Sequence, residues 1–296
     1  MEIQPAGPEH VADLAALAER RCPHLLPHAV RNLFAGGAVQ VYSAFRAIDP
    51  DGTLLGWGTM SARSSLPAGW RIISLYVDHE HESRGVGSAL YARLRGEVDS
   101  EATHLRGRLF DDDERSRVVV VDHYGFEIEQ HSITSGMSLA DAAAPSLPDG
   151  VTIESNPDMQ FDDRDAVEEM LLTSQTNPEA DRGLSFDLDK LRSFAAPDDI
   201  RIVAIARVDG KPAAGVFGEV GSQLFHVGYT GVAPAHRGRN LAFLLKQHAH
   251  HLAREAGATR VVTDNEEHNT GIRHVNQRLG YEPVFGVYWL DLPLSR

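Results

Sequence analysis

Apolar and polar residues follow two patterns along this chain, one typical of strands and the other of helices. Val39–Ile48 and Thr53–Ala62 have the composition of strands and flank Asp49-Pro-Asp-Gly, a turn sequence, so they predict a β-hairpin. Glu9–Arg21 and Leu241–Ala253 instead carry apolar residues at helical spacing. Because strands and helices are interleaved from end to end, the chain is predicted to be an α/β (α+β) protein.

One stretch of the sequence occurs twice. Val77–Gly87 and Val232–Ala242 have equal length, and each leads from an apolar strand through a polar loop into a helix. They lie 155 residues apart (232 − 77), and the same offset (280 − 125) relates Gly125-Phe126 to Gly280-Tyr281. Two landmarks with one offset indicate a duplicated domain. The predicted domains are residues 1–140 and 151–296, joined by an Ala- and Pro-rich linker at 141–150.

The repeat and the local patterns together predict the remaining elements. Strands are expected at Glu2–Pro5, Arg71–Val77, Thr103–Phe110, Val151–Ser155, Leu224–Val232, Thr259–Asp264 and Tyr281–Leu292, hairpins at Phe126–Leu139 and Ile200–Val220, and helices near Ala29–Phe34 and at Asp162–Ser174, Phe186–Phe194 and Asn269–Leu279. Four consecutive valines, Val118–Val121, have strand propensity, but the repeat places them in the helix before Gly125, and we follow the repeat.

The polar loop before the second repeated helix has the layout of an anion site. Amide groups at the start of a helix have no partner within the helix and lie at the positive end of its dipole. Gly238 allows a ligand to approach the backbone, and Asn240 is one of the few residues besides glycine that tolerates a left-handed conformation. Arg237 and Arg239 add positive charge.

These residues resemble the GNAT superfamily of N-acyltransferases, whose signature is Arg/Gln-x-x-Gly-x-Gly/Ala. The second repeat reads Arg237-Gly-Arg-Asn-Leu-Ala, with Asn240 in place of a glycine, and the first reads Glu82-Ser-Arg-Gly-Val-Gly, with Glu82 in place of Arg or Gln. Asn269 and the segment Asn276–Tyr281 are similar to a tandem subfamily of that superfamily. The resemblance implies a duplicated GNAT fold with two mixed central sheets flanked by helices.

The resemblance also implies acetyl-CoA as co-substrate and no metal. The residues that it assigns to the co-substrate are Val232, Arg237, Gly238, Arg239, Asn240, Leu241, Ala242 and Asn269 in the second repeat, and Val77, Arg84, Gly85, Val86, Gly87 and Ser88 in the first.

The two repeats differ at positions where many superfamily members carry catalytic side chains. The general-base position on the strand before the loop is His226 in the second repeat and Arg71 in the first, and only an imidazole takes up a proton near neutrality. The position of the common general-acid Tyr is Asn276 in the second repeat and Val121 in the first. An Asn can form a hydrogen bond to a sulfur or a water, but it does not donate a useful proton.

Two further differences concern the co-substrate. Asn269 and Arg237 of the second repeat correspond to Glu114 and Glu82 of the first, and a carboxylate beside a pyrophosphate is repulsive. Gly85 argues the other way, because it keeps the glycine of the signature. The C-terminal repeat is therefore predicted to be catalytic and the N-terminal repeat to be a degenerate copy, with acyl-CoA binding in the first repeat left open.

The role of His226 has an alternative. A strand histidine that packs in a hydrogen-bonded core position accounts for it equally well. Tyr229 has the opposite strand parity and is expected on the other face of the sheet. Tyr288 and Glu219 are weaker alternatives for acid–base work.

The composition disfavours several classes of protein. A length of 296 residues suits two domains, and a net charge of −14 disfavours a nucleic-acid binder, which needs a basic face. The single cysteine, Cys22, excludes an internal disulfide and is expected to be a buried thiol in a reducing compartment. Neither a signal peptide nor a membrane-spanning run is evident, so a cytoplasmic protein is expected.

Two clusters suggest a metal site only superficially. Asp111–Glu114 has no partner ligands at useful spacing and is expected to be a solvated loop. His248, His250 and His251 have no carboxylate or Cys to complete a set, so exposed helix histidines are expected.

The resemblance implies transfer of an acetyl group from acetyl-CoA to the primary amine of a small molecule, by direct attack with general-base assistance. A non-catalytic acyl-CoA-binding or regulatory protein, and an enzyme that acetylates protein N-termini or lysines, remain alternatives. The expected partners are acetyl-CoA and a small amine, without nucleic acid or membrane, and the expected state is a monomer or homodimer.

Overall fold

A computed structural model describes residues 1–21, 30, 33–34, 39–63, 66–175, 187–194 and 199–294. The strands are β1 Glu2–Pro5, β2 Val39–Ile48, β3 Leu54–Arg63, β4 Trp70–Val77, β5 His104–Phe110, β6 Glu127–Ser138, β7 Val151–Ser155, β8 Ile200–Val208, β9 Lys211–Gly221, β10 Leu224–Val232, β11 Arg260–Glu266 and β12 Glu282–Pro293. The helices are α1 Val11–Arg21, α2 Val86–Arg95, α3 Glu114–Val118, which continues as a π-helix at Val119–His123, α4 Arg164–Ser174, α5 Leu188–Phe194, α6 Leu241–Glu255 and α7 Thr270–Leu279. Short 3-10 turns lie at Pro8–His10, His79–His81 and Pro234–His236.

Most of the predicted elements are confirmed. The predicted mixed α/β architecture of strands and flanking helices is observed, including the hairpin of β2 with β3 and that of β8 with β9. Cys22, most of the helix predicted near Ala29–Phe34 and the first residue of the helix predicted at Phe186–Phe194 lie outside the described residues.

The chain packs into two compact units, Met1–Gln130 together with Tyr288–Arg296, and His131–Val287. In the first unit the strand order is β1-β2-β3-β4-β5, and residues 288–293 of β12 lie beside β5. In the second unit the order is β7-β8-β9-β10-β11, and residues 131–138 of β6 lie beside β11. Each unit is thus completed by the closing strand of the other repeat. The division of the sequence at 141–150 stays a prediction about the repeats.

Buried leucines hold the exchanged strands in place. Leu290 of β12 is 1% exposed and packs in the core of the first unit with Leu105 and Phe126. Leu139, just after β6, is fully buried in the core of the second unit with Val261 and Tyr281. Burial of one leucine side chain contributes about 1.5–3 kcal/mol, so the exchange is part of each hydrophobic core.

The hairpin predicted at Phe126–Leu139 is wrong. This segment forms the single strand β6, which pairs antiparallel with β11 from Ser132 opposite Glu266 to Ser138 opposite Arg260. An uninterrupted ladder over these residues requires an extended backbone, and a turn within the segment would break it.

The helix predicted across Val118–Val121 is confirmed, although four β-branched residues favour a strand. Val118 ends α3 and the next three valines lie in the π-helix. Val118 and Val119 are exposed, whereas Val120 and Val121 pack against the core of the first unit. Tertiary packing on one helical face therefore overrides the local propensity.

Candidate functional site

Strand β10 leaves its parallel neighbour half way along its length. It pairs with β11 only from Leu224 to Val227, whereas its antiparallel pairing with β9 continues to Val232. Beyond Val227, the edge of β10 that faced β11 borders an open cleft. A splayed pair of parallel strands thus presents backbone along one wall of a cavity.

A β-bulge at Gly228 reverses the side-chain alternation of β10. Before the bulge His226 lies opposite Glu219 of β9, and after it Tyr229 lies opposite Phe217. Phe217 and Glu219 share a face because they are two residues apart in one strand, so His226 and Tyr229 also share a face. The prediction that Tyr229 points to the other face is therefore wrong, because the bulge adds one residue between them.

The same bulge corrects the comparison between the repeats. Strand β4 of the first unit pairs with β3 without a register shift, so it lacks the extra residue. Before the bulge the offset between the repeats is therefore 154 residues (226 − 72), and the counterpart of His226 is Ile72 instead of Arg71. Arg71 is buried and forms hydrogen bonds to Asp99.

The loops between strand and helix have the same backbone pattern in both units. In the loop at residues 233–240, the second loop, Gly238 and Asn240 have φ values of 77° and 63°. In the loop at residues 78–85, the first loop, Ser83 and Gly85 occupy the positions 155 residues earlier and have φ values of 59° and 81°. Two left-handed residues in each loop turn successive amide groups toward one side, which is a geometry suited to anions.

The start of α6 is left open by the side chains around it. Asn240 precedes the helix without a side-chain cap, and its side-chain oxygen instead accepts a hydrogen bond from Arg278 at 2.9 Å. A Cβ atom at Gly238 would meet no atom within 4 Å, so the space outside the loop is clear. The first amides of α6 can therefore hold a phosphate group.

A cleft of about 710 Å³ joins the splayed strands, the second loop and the starts of α6 and α7. The predicted co-substrate residues that line it are Val232, Arg237, Gly238, Asn240, Leu241, Ala242 and Asn269. Arg239 is exposed and lies outside the lining. The volume is that of a small-molecule site.

Arg237 in the second loop and Arg278 beside it make different contacts. Arg237 Nε donates a hydrogen bond at 3.3 Å to the carbonyl oxygen of Val232, which fastens the loop to the end of β10. Arg278 of α7 stacks over Phe243, with its guanidinium carbon 4.6 Å from the ring centre, and also binds Asn240. The sequence comparison missed Arg278, which only the packing of α7 beside α6 brings to the loop.

His226 is held between two carboxylates. Its Nδ1 lies 2.9 Å from Oε1 of Glu219, and its Nε2 lies 3.1 Å from Oδ2 of Asp264. Burial alone would lower the pKa of His226, but the hydrogen bonds to Asp264 and Glu219 and their charges outweigh it and raise the pKa to about 10. The ring is therefore an imidazolium at neutral pH. Asp264 is among the residues that line the cleft, and His226 is not.

Tyr229 contributes a phenol to the cleft. Its hydroxyl and that of Ser174 form a hydrogen bond, and both residues line the cavity. Burial raises the pKa of Tyr229 to about 12, although the bond to Ser174 opposes the shift. The phenol thus keeps its proton through the physiological range.

Asn276 lies one layer behind the cleft. It is 3% exposed, accepts a hydrogen bond from Lys246 and donates one to Asn265, and of these three residues Asn265 lines the cavity.

The first loop is tied down by ion pairs. Glu82, at the position of Arg237, lies 3.4 Å from Arg21, 3.3 Å from His79 and 2.5 Å from Arg115. Arg115 also binds the hydroxyl of Ser83, so the loop is fastened to α1 and α3. Arg21, His79 and Arg115 are thus already paired with a carboxylate of the protein.

The other predicted co-substrate residues of the first repeat have mixed positions. Val77 and Val86 pack in the hydrophobic core, Arg84 is exposed, and the hydroxyl of Ser88 accepts a hydrogen bond from Tyr124 at 3.1 Å. Gly87 lies in the first turn of α2, and a Cβ there would meet only Val77 at an ordinary 3.5 Å.

Within the described ranges, no group of three or more His, Cys, Asp or Glu side chains is placed to hold a metal ion. His250, expected to be an exposed helix histidine, is instead buried, and its Nε2 lies 2.7 Å from the hydroxyl of Tyr281. It faces inward because α6 packs this side against the core. None of the helices described is long and apolar enough to cross a membrane.

Known proteins share sequence features or the fold with this chain. Residues 164–281 match the model of the acetyltransferase (GNAT) family. A GCN5-related N-acetyltransferase from Sphaerobacter thermophilus has a similar structure, with a TM-score of 0.76 at 16% identity over 100% of this chain and 96% of that one. A tandem GNAT protein from the clavulanic acid biosynthesis pathway has a TM-score of 0.77 at 20% identity over 100% of this chain and 99% of that one. No curated protein matches the chain in sequence. At these identities the structural neighbours show the fold alone.

Proposed function

We propose that this chain, which contains an acetyltransferase (GNAT) family domain at residues 164–281, transfers an acyl group from acyl-CoA to the primary amine of a small molecule, and that the second repeat holds the acyl-CoA. The observation that carries the proposal is the combination, in one cleft, of the splayed β10 edge with the uncapped start of α6. One wall suits an extended amide-containing arm, and the other suits a pyrophosphate.

The contrast between the two loops supports the second repeat as the acyl-CoA site. Both loops keep the left-handed pattern, but the first carries Glu82 with its three basic partners, whereas the second borders an open cleft. A diphosphate approaching the first loop meets a negative charge and must displace Arg115 from two partners. We therefore assign the role of co-substrate site to Val232, Gly238, Asn240 and the first amides of α6.

When bound, acyl-CoA supplies the acyl group as an activated thioester. A protonated amine must lose one proton before its nitrogen attacks the carbonyl carbon and a second as the C–N bond forms and the C–S bond breaks. The departing thiolate takes up one of these protons, and the other is released to solvent. Asp264 and Glu266 line the cleft and favour a cationic acceptor over an anionic one. Tyr229 presents a protonated phenol on the same cleft.

Titration calorimetry with acetyl-CoA tests the site. We expect one binding site in the intact chain, retained in Gly85→Glu and lost in Asn240→Glu, because each variant places a carboxylate at the helix start of one loop. Asn240→Gln controls for strain at the left-handed position without adding charge and should bind. Loss of binding in Gly85→Glu alone would move the site to the first repeat, and no binding by the intact chain would overturn the proposal.

Turnover is tested by release of free CoA with a panel of small primary amines. Acyl transfer to at least one amine is expected, with none in Asn240→Glu. If the chain binds acetyl-CoA but acylates neither amines nor peptides, the non-catalytic alternative replaces the enzyme.

A further inference from the structure

A buried lysine stands at the end of a hydrogen-bond chain that reaches the cleft. Lys246 of α6 is fully buried, and its Nζ donates at 2.7 Å to Oδ1 of Asn276. Nδ2 of Asn276 donates at 2.6 Å to Oδ1 of Asn265, which lines the cavity near the end of β11. Three side chains thus connect the core of the second unit with its cleft.

The surroundings of Lys246 offer it no acidic partner among the described residues. Its Nζ lies 4.8 Å from the ring centre of Tyr281, whose hydroxyl bonds to His250. Burial lowers the pKa of Lys246 to about 7, and burial together with the charge of Lys246 lowers the pKa of His250 to about 3. Burial also raises the pKa of Tyr281, so both neighbours are neutral near pH 7. Burial of an amine without a carboxylate partner lowers the stability of the fold, which points to a functional role for Lys246.

The duplicated fold shows that packing does not require this chain of hydrogen bonds. The residue 155 positions before Lys246 is Tyr91. The amide of Phe126 donates to the carbonyl oxygen of Val120 as that of Tyr281 donates to Asn276, so Val120 is the counterpart of Asn276, and both Tyr91 and Val120 pack against the hydrophobic core of the first unit together with Leu109 of β5. The corresponding positions of the first unit therefore carry side chains that pack on its hydrophobic core. The polar chain is specific to the unit with the open cleft.

The lysine sets the direction of every hydrogen bond in the chain. Below pH 7 the side chain of Lys246 is mainly an ammonium group, which has donors only, so the side chain of Asn276 turns its oxygen toward Lys246 and its amide N–H toward Asn265. Asn265 must then turn its oxygen toward Asn276, which leaves its own amide N–H as the group offered to the cleft. Without Lys246, either amide could rotate by half a turn and present the opposite polarity.

We propose that Asn265 is a hydrogen-bond donor to a carbonyl oxygen of the acyl-pantetheine arm and that Lys246 is the positioning residue that fixes this polarity through Asn276. The inference rests on the proposed function, because it assumes that acyl-CoA occupies the cleft. Asn265 lies on β11, the strand from which β10 diverges, whereas the phosphate-binding amides lie at the start of α6.

Three variants test the hydrogen-bond chain from Lys246 to Asn265 by calorimetry with acetyl-CoA. Asn265→Leu removes the donor, and Lys246→Met removes the group that orients it. Asn276→Asp keeps an acceptor for Lys246 but cannot donate to Asn265, so Asn265 should turn its oxygen to the cleft. Each should weaken acetyl-CoA binding about tenfold, since one hydrogen bond is lost and a polar group is left unpaired. The double variant Lys246→Met with Asn265→Leu should bind no more weakly than Asn265→Leu alone.

Two measurements distinguish a role in binding the acyl-pantetheine arm from a purely structural role. Lys246→Met leaves the buried Oδ1 of Asn276 without its donor and should lower the free energy of unfolding by about 1–3 kcal/mol, so the thermal midpoint is measured first and affinity is compared well below it, where the variant is folded. Adenosine 3′,5′-diphosphate lacks the arm, and the variants should bind it as the intact chain does. If the intact chain binds acetyl-CoA and the variants bind it equally well, or if both ligands are lost together, this inference is overturned while the proposed function stands. If the intact chain binds no acetyl-CoA, the proposed function fails first.

Discussion

The Nε2 atom of His226 lies 3.1 Å from a carboxylate oxygen of Asp264, a residue of the cleft wall. The other ring nitrogen is engaged by Glu219, so both N–H groups of the imidazolium are in use. His226 can accept a proton from a substrate only after it has lost one of its own. The general-base role predicted from the sequence therefore stays a prediction, and the pair with Asp264 determines how it is tested.

The first prediction concerns the pH dependence of turnover. If His226 is the base, kcat/KM should rise with pH and level off near 10, the pKa of its ring, because only neutral imidazole accepts a proton. Asp264→Asn removes one carboxylate and should move the rise to lower pH. His226→Ala should lower kcat about a hundredfold, and a loss below tenfold would exclude the role.

The second prediction concerns the pH dependence of stability. The pKa of His226 is 6.5 when unperturbed and about 10 in the fold. A raised pKa means that the stabilisation is fully present below pH 6.5 and is lost as pH rises through 10. His226→Gln should therefore lower the free energy of unfolding by about 1–2 kcal/mol at pH 6 and by much less above pH 10. Urea unfolding at both pH values measures the difference, and an equal loss at both would contradict the raised pKa.

The third prediction concerns the exchanged closing strands. Leu290→Ala should lower the free energy of unfolding by about 2–5 kcal/mol, because it empties a buried position. The added hydrogen exchange should appear in β4 and β5 of the first unit, although residue 290 belongs to the second repeat. Val284→Ala, at an exposed position on the same strand, should change stability by less than about 0.5 kcal/mol. Exchange confined to residues 131–287 would contradict the assignment of β12.

The fourth prediction concerns the ion pairs that fasten the first loop. Arg21 contacts both Glu82 and Asp113, and all three side chains are less than a fifth exposed. Arg21→Met leaves two partly buried carboxylates with fewer partners and should cost about 1–3 kcal/mol of stability in urea unfolding. Arg20 also has one carboxylate partner but is 59% exposed, so Arg20→Met should cost less than about 0.5 kcal/mol. Equal effects would show that burial does not strengthen this network.

Much of the fold follows from the sequence because the repeat is a local and periodic signal. The offset that relates Gly125 to Gly280 placed the valine run Val118–Val121 in a helix against its own propensity, and the structure confirms it. Gly85 and Gly238 indicate one left-handed position in each loop, because glycine adopts that conformation readily. Ser83 carries no such signal, and only the repeat indicates its conformation.

By itself, the sequence determined most of the strands and helices, the duplication and the position of the two loops. Strands, helices and loops depend on residues near one another along the chain, and the duplication is visible as one local pattern that occurs twice. The tertiary structure decided the rest. The bulge at Gly228 turns Tyr229 to the face of His226, and one inserted residue that reverses a strand's alternation leaves no mark on the apolar pattern. The partners of β6 and β12, and the contact of Lys246 with Asn276, join segments far apart in sequence. Such contacts depend on which surfaces meet when the core packs, and local spacing does not specify them.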